Sequence, residues 1–138
     1  MASTQRKVTI MTCRSESFRI YYPSNKAERS RWMKEYGMNA YYSGKHWSRR
    51  KQDAEFWHLL TISALNRQEV RTTPFENPVI LTFFFNDKLD CSNHGVLIKM
   101  IEDGMKGRII ADDSRKFVKG IECYFHDEGY ILVQIREV

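Results

Sequence analysis

The chain has 138 residues, 42% of them hydrophobic and 28% charged, with a formal net charge of +5. That balance excludes a disordered polyelectrolyte, and the length suits a single domain, 1–138, able to stand without disulfide staples. No apolar run approaches the ~20 residues of a membrane-crossing helix, so no membrane partner is expected.

The opening MASTQRKVTIMTCR has no signal-peptide core. Cys13, Cys91 and Cys123 are widely spaced with no CxxC pair, which fits a reducing cytosol better than a disulfide framework or a zinc knuckle. In chain order, KVTI (7–10) and SFRIYY (17–22) predict short strands or one hairpin, closed by a turn at Pro23-Ser24-Asn25. Residues 26–47 are expected to be a loop with a helical turn, because Gly37 and Gly44 interrupt them. Ser48 is the expected N-cap of a helix over 48–68, on which Ala54, Trp57, Thr61, Ala64 and Leu65 recur at helical spacing. After Pro74 and Pro78, VILTFFF (79–85) predicts a central strand. Asn93 to Met105 predicts a second helix, with Val96, Leu97, Met100 and Ile101 apolar and Gly104 and Gly107 at its C-terminal end. Two alternating runs, 117–125 and 131–136, flank a turn at 126–129 and predict a final antiparallel pair. The expected fold is α+β, a small mixed or antiparallel sheet with two main helices.

Cations crowd residues 26–51, interleaved with Trp32, Tyr36, Tyr41, Tyr42 and Trp47. Cations hold phosphates and aromatic faces stack on unpaired bases, so the pattern points to a nucleic acid. Lys45, Arg49, Arg50 and Lys51 are the expected phosphate contacts. Arg49, Arg50 and Lys51 fall in the first turn of the expected helix, where the helix dipole disfavours cations, and phosphate binding is one reason to keep them there. A solvated basic face with half-buried rings fits the same composition.

A second constellation begins at LDCSNHGVLIKMIEDG (89–104). Asp90 follows the central strand, in the kind of loop that carries function. Ser92, Val96, Lys99 and Asp103 recur at helical spacing, which would stack them on one face beside Asp90. Asp112 and Asp113 form the next turn and are expected at the same end of the sheet. Carboxylates beside a lysine suit metal-assisted phosphodiester hydrolysis. Hard oxygens hold Mg²⁺, the metal activates water, and the lysine orients that water or neutralises developing charge. The plain alternative is a turn acid at Asp90, a surface Lys99–Asp103 pair and an acidic turn. His94 reads as a helix-start polar residue, and the soft thiol of Cys91 does not suit Mg²⁺.

On these residues the chain resembles the RusA-type Holliday junction resolvases, a family frequent in phages and prophages. Asp90-Cys91-Ser92-Asn93 stands at the family's Asp-x-Asp-Asn after a strand. Lys99 to Met105 stands at its helix with a lysine four residues before an aspartate, and Ala111-Asp112-Asp113 at its acidic turn, with two strands to follow. Met38-Asn39-Ala40-Tyr41-Tyr42, or alternatively Pro23-Ser24-Asn25-Lys26, stands at its Asn-x-Tyr-Tyr segment. The similarity covers residues 36–138; residues 1–35 match poorly and read as an N-terminal extension.

The resemblance implies a RusA-like fold and a Mg²⁺- or Mn²⁺-dependent endonuclease that resolves four-way DNA junctions in a bacterial or phage-infected cytoplasm. It also implies a homodimer, because a C2 protein matches a pseudo-twofold substrate. Asp90 and Asp113 would hold metal, with Asp112 and Asp103 as further candidates. Lys99 would assist at the scissile phosphate. Asn39, Tyr41 and Asn93 would lie on the DNA side. One departure matters: Ser92 stands where the family has its second aspartate, which removes a charge from the site. Either Asp103, Asp112 or Asp87 supplies the missing oxygen, or water held by Ser92 suffices with slow turnover. Otherwise the protein binds junctions without cutting, or serves a protein partner.

Overall fold

The computed structural model describes residues 13–138. The strand expected at 7–10 lies outside the described residues. Four strands, β1 (Ser15–Tyr21), β2 (Val79–Phe85), β3 (Val118–Phe125) and β4 (Tyr130–Glu137), form one mixed sheet in the order β1-β4-β2-β3. The helices are α1 (Lys26–Lys34), α2 (Met38–Tyr42), α3 (Trp47–Arg67) and α4 (Gly95–Met105), the last preceded by a 3₁₀ turn at Cys91–His94. The domain is therefore α+β, as its alternation of patterns predicts, with α3 and α4 the two main helices.

β2 is central because it is the most apolar strand: Val79, Leu81, Phe83 and Phe85 are all buried. They meet Phe18 and Ile20 of β1 and Ile131, Val133 and Ile135 of β4 on one sheet face. Trp57 and Leu65 of α3 and Leu97 and Ile101 of α4 complete that core with no exposed surface. Truncating one of the large rings, such as Phe83→Ala, would cost about 3–5 kcal/mol. Residues 15–33, expected to be part of an N-terminal extension, belong to this domain, since β1 pairs along β4 and Phe18, Ile20, Tyr22 and Met33 are buried. No helix among the described residues is long and apolar enough to cross a membrane.

Three local expectations are corrected. The final two strands are not neighbours: β3 pairs parallel with β2, and β4 pairs antiparallel with β2 on its other side. The 126–129 turn instead passes over the end of β2, where His126 N donates to Phe85 O and Asn86 Nδ2 to Glu128 O. A parallel β2–β3 pair needs a long crossover, and α4 supplies it. Second, residues 26–42 hold two helices rather than a loop. Asn25, taken for a turn residue, caps α1 by accepting from Ala27 N and Glu28 N. Third, His46 caps α3, its Nδ1 accepting from Ser48 N, so Ser48 lies inside the helix. Gly104 lies at the C-terminal end of α4 as expected, and a Cβ there would stand 2.9 Å from Thr61 Cβ and 3.3 Å from His58 Cα. The glycine is there for the close approach of α4 to α3, and Gly107, at φ +75, follows the helix end.

Candidate functional site

The segment from the end of β2 to the start of α4 is held from beneath by a buried pair. His94 and Asp87 have fully buried side chains, with His94 Nε2 3.0 Å from Asp87 Oδ2. His94 stacks on Phe85 at 4.0 Å between centroids, and its Nδ1 lies 3.2 Å from Cys91 O. Asp87 also accepts from Leu89 N. Asp87 is thus consumed in shaping the turn, which removes it from the acids expected to offer an oxygen beside Ser92. Neither ring nitrogen of His94 faces solvent, so His94 is a structural residue, more deeply placed than its sequence position suggests.

Above this pair, Asp90 is exposed and occupies the N-cap of the 3₁₀ turn, yet its carboxylate makes no capping hydrogen bond. It lines a cleft of about 840 Å³ between α1, α2 and the 88–93 segment, together with Arg31, Lys34, Asn39, Ser43, Lys88 and Asn93. Asn93 Oδ1 accepts from Met38 N and Asn39 N, which caps α2 from a distance in sequence. Its acceptor is therefore spent on the fold. Beside Asp90, Cys91 Sγ donates to Cys123 O and Cys123 Sγ to Cys91 O, fastening the turn to β3. Burial pushes the Cys123 thiol up to about 12.

A second cluster lies farther along α4. The Lys99 ammonium meets Asp113, Asp103 Oδ1 at 3.2 Å and Glu102 Oε1 at 3.8 Å. Lys106 reaches Asp103 at 3.4 Å and Asp113 at 3.6 Å. The hydrogen bond to Asp113 holds Lys99 above the usual lysine range, and the same bond holds Asp113 below the usual carboxylate range. Burial raises Glu102. The lysine of α4 and the acidic turn thus come together.

They do not come together at Asp90. Residues 112–113 precede β3, whose start lies beside Val79, whereas Asp90 follows Phe85 at the other end of β2. No ion pair or hydrogen bond among the described residues links the Asp90 side chain to Lys99, Asp103 or Asp113. Ser92 is also out of register with Lys99 and Asp103, because it belongs to the 3₁₀ turn and not to α4. The donor chemistry suits Mg²⁺, since all the acids offer hard oxygens. Their grouping is less suited: two ammonium groups already span Asp103 and Asp113, and among the described residues no three His, Cys, Asp or Glu are grouped to hold a metal.

The expected phosphate contacts divide. Lys45 donates to Glu35 O and pairs with buried Asp53, to which Tyr41 Oη donates at 2.7 Å. Arg50 donates to Lys45 O and Tyr41 O. These four side chains hold the 41–50 connection together. Arg49 and Lys51 are exposed and make no ion pair among the described residues, and Asn39 reaches the cleft. Arg31 and Lys34 belong to the basic stretch 26–51 but were not among the expected phosphate contacts, and Lys88 lies outside that stretch. Their charge was visible, but only the packing of α1 against the 86–90 segment turns it toward a cleft.

No family model matches the chain, and no curated protein or solved structure is significantly similar to it.

Proposed function

We propose that the protein is a structure-specific DNA endonuclease of the RusA type, acting on branched DNA as a homodimer in a bacterial or phage-infected cytoplasm. The observation that carries this reading is the contact between Lys99 and Asp113, fourteen residues apart. It joins in space two motifs that the resemblance pairs only by order. The exposed carboxylate of Asp90 in a cleft rich in cations supports it as well. With Lys99 and Lys106 displaced from them, Asp113 and Asp103 would be the residues to hold a divalent cation, Mg²⁺ or Mn²⁺, and that cation would supply an activated water and offset transition-state charge. Asp90 stands apart from that cluster and would hold a second cation. Lys99, kept protonated by its acids, neutralises charge on the scissile phosphate. The cations of the cleft hold the flanking phosphates, so binding should weaken steeply with salt.

A second reading is a RusA-fold protein that binds branched DNA, or a protein partner, without cutting. It is favoured by the two lysines that span Asp103 and Asp113, and by the hydroxyl of Ser92 in place of a carboxylate. Cleavage of a labelled four-way junction in Mg²⁺ and in Mn²⁺, with Asp90→Asn and Asp113→Asn as controls, separates the two. Symmetric cuts lost in both variants support the nuclease. Tight binding with no cuts supports the binder.

A further inference from the structure

The cleft at Asp90 is the middle one of three. On one side it shares Lys88 with a cleft of about 540 Å³ lined by Lys26, Arg29 and Ser30. On the other it shares Glu35, Ala40 and Ser43 with a shallower one of about 310 Å³ that reaches Arg49. The three form a groove that follows α1 and crosses α2 to the start of α3.

Two observations say what the groove would take. The first is which cations line it. Lys45, Arg50, Lys99, Lys106 and Arg136 are engaged with acids or carbonyls. Lys26, Arg31, Lys34, Lys88 and Arg49 are exposed, and no ion pair or hydrogen bond of their side chains occurs among the described residues. Arg29 Nε is buried without a partner. Cations left unpaired along a concave path fit an anion that repeats along a chain. The second observation is where the exposed aromatics stand. Tyr42 is 76% exposed and Trp47 is 71% exposed. Neither ring lines any of the three clefts, but Tyr42 and Trp47 flank in sequence the 43–45 run that lines the third one. Large rings left in water beside a phosphate track offer stacking faces, and only unpaired bases have free faces to stack on them.

We infer that this groove binds an unpaired nucleic-acid strand, with Lys88, Lys34 and Arg31 on its phosphates and Tyr42 and Trp47 on its bases. The inference rests on the reading of the chain as a protein that acts on nucleic acid, and names the part of the branch it grips. A branched substrate with a single-stranded arm would then bind more tightly than a fully paired junction.

The test is fluorescence anisotropy with a labelled oligothymidylate of about 20 nucleotides, beside a duplex, a splayed fork and a four-way junction. The strand and the fork should bind more tightly than the duplex and the fully paired junction. Lys34→Ala with Lys88→Ala should lower the slope of log affinity against log salt by about 1.4, since each phosphate neutralised on a single strand contributes about 0.7. Tyr42→Ala should weaken strand binding about tenfold. Bound strand should quench the emission of exposed Trp47, and Trp47→Phe should remove that quench while the buried Trp57 continues to emit. Equal affinity for duplex and strand, or an unchanged salt slope in the double variant, overturns the inference while leaving the nucleic-acid reading intact. Failure of the wild-type protein to bind any of the four DNAs overturns both.

Discussion

Asn93 Oδ1 lies 2.6 Å from Met38 N, across 55 residues of sequence, and is the acceptor that starts α2. The two segments are in close contact here, for a Cβ on Gly37 would meet Asn93 Nδ2 at 3.2 Å and Leu89 Cδ2 at 3.1 Å. Asn93 thus joins the Asp90 turn to the opposite wall of the cleft. Asn93→Ala should cost about 1 kcal/mol, the usual loss for a helix cap. Asn93→Asp, which keeps an acceptor at a helix N-terminus, should cost less. Urea midpoints measured at constant slope check both.

The Lys99–Asp113 bond has a pH signature. Asp113 has a folded pKa below its unfolded one, so its contribution is present above the unfolded value and is lost as pH falls through the folded value. Lys99 has a folded pKa above its unfolded one, so its contribution is present below the unfolded value and is lost as pH rises through the folded value. The stability difference between wild type and Asp113→Asn should therefore be flat between about pH 5 and pH 9 and shrink below about pH 4 and above about pH 10.5. Urea titrations across that range read it directly. A difference that changes near pH 7 would show that another group sets it.

Asp53 is the acceptor for Tyr41 Oη and the partner of Lys45, and it is buried to 6% exposure. Burial first, then the bond to Asp53, raises the Tyr41 phenol. Asp53→Ala would leave the Lys45 ammonium without its partner and should destabilise by about 3 kcal/mol. Lys45→Ala should likewise lower thermal stability while leaving the salt slope of DNA binding near its wild-type value. A salt slope that falls in Lys45→Ala as it does when a phosphate-binding cation is removed would return Lys45 to the phosphate contacts.

Gly104→Ala places a methyl against Thr61 and the His58 backbone. Neither helix can yield without shifting its packed partner, so the cost should be about 1–3 kcal/mol. Gly104→Ala combined with Thr61→Ser relieves the methyl contact at Thr61 and should recover part of that loss. Calorimetric midpoints of the two variants decide it.

Sequence periodicity identified α3, α4, β2 and β4 because each buries a face whose spacing repeats within the element; β3 was found by its alternation although Val118 is its one buried residue. It did not find α1, where only Met33 is buried and the capping Asn25 looks like a turn residue. It also placed β3 beside β4, since strand adjacency depends on which strand competes best for the centre, and β2 does so by burial on a scale that local alternation does not show. The same division holds at the site. Acids, lysines and the basic, aromatic stretch of 26–51 were all legible as residue types. Which cations are spent inside the fold and which face a groove was decided by tertiary structure alone. Lys45 and Arg50 turn inward to satisfy Asp53 and backbone carbonyls, while Lys34 and Lys88 are brought to one cleft by elements far apart in sequence. A charge has no periodicity of its own; its role follows from the partner that folding places beside it.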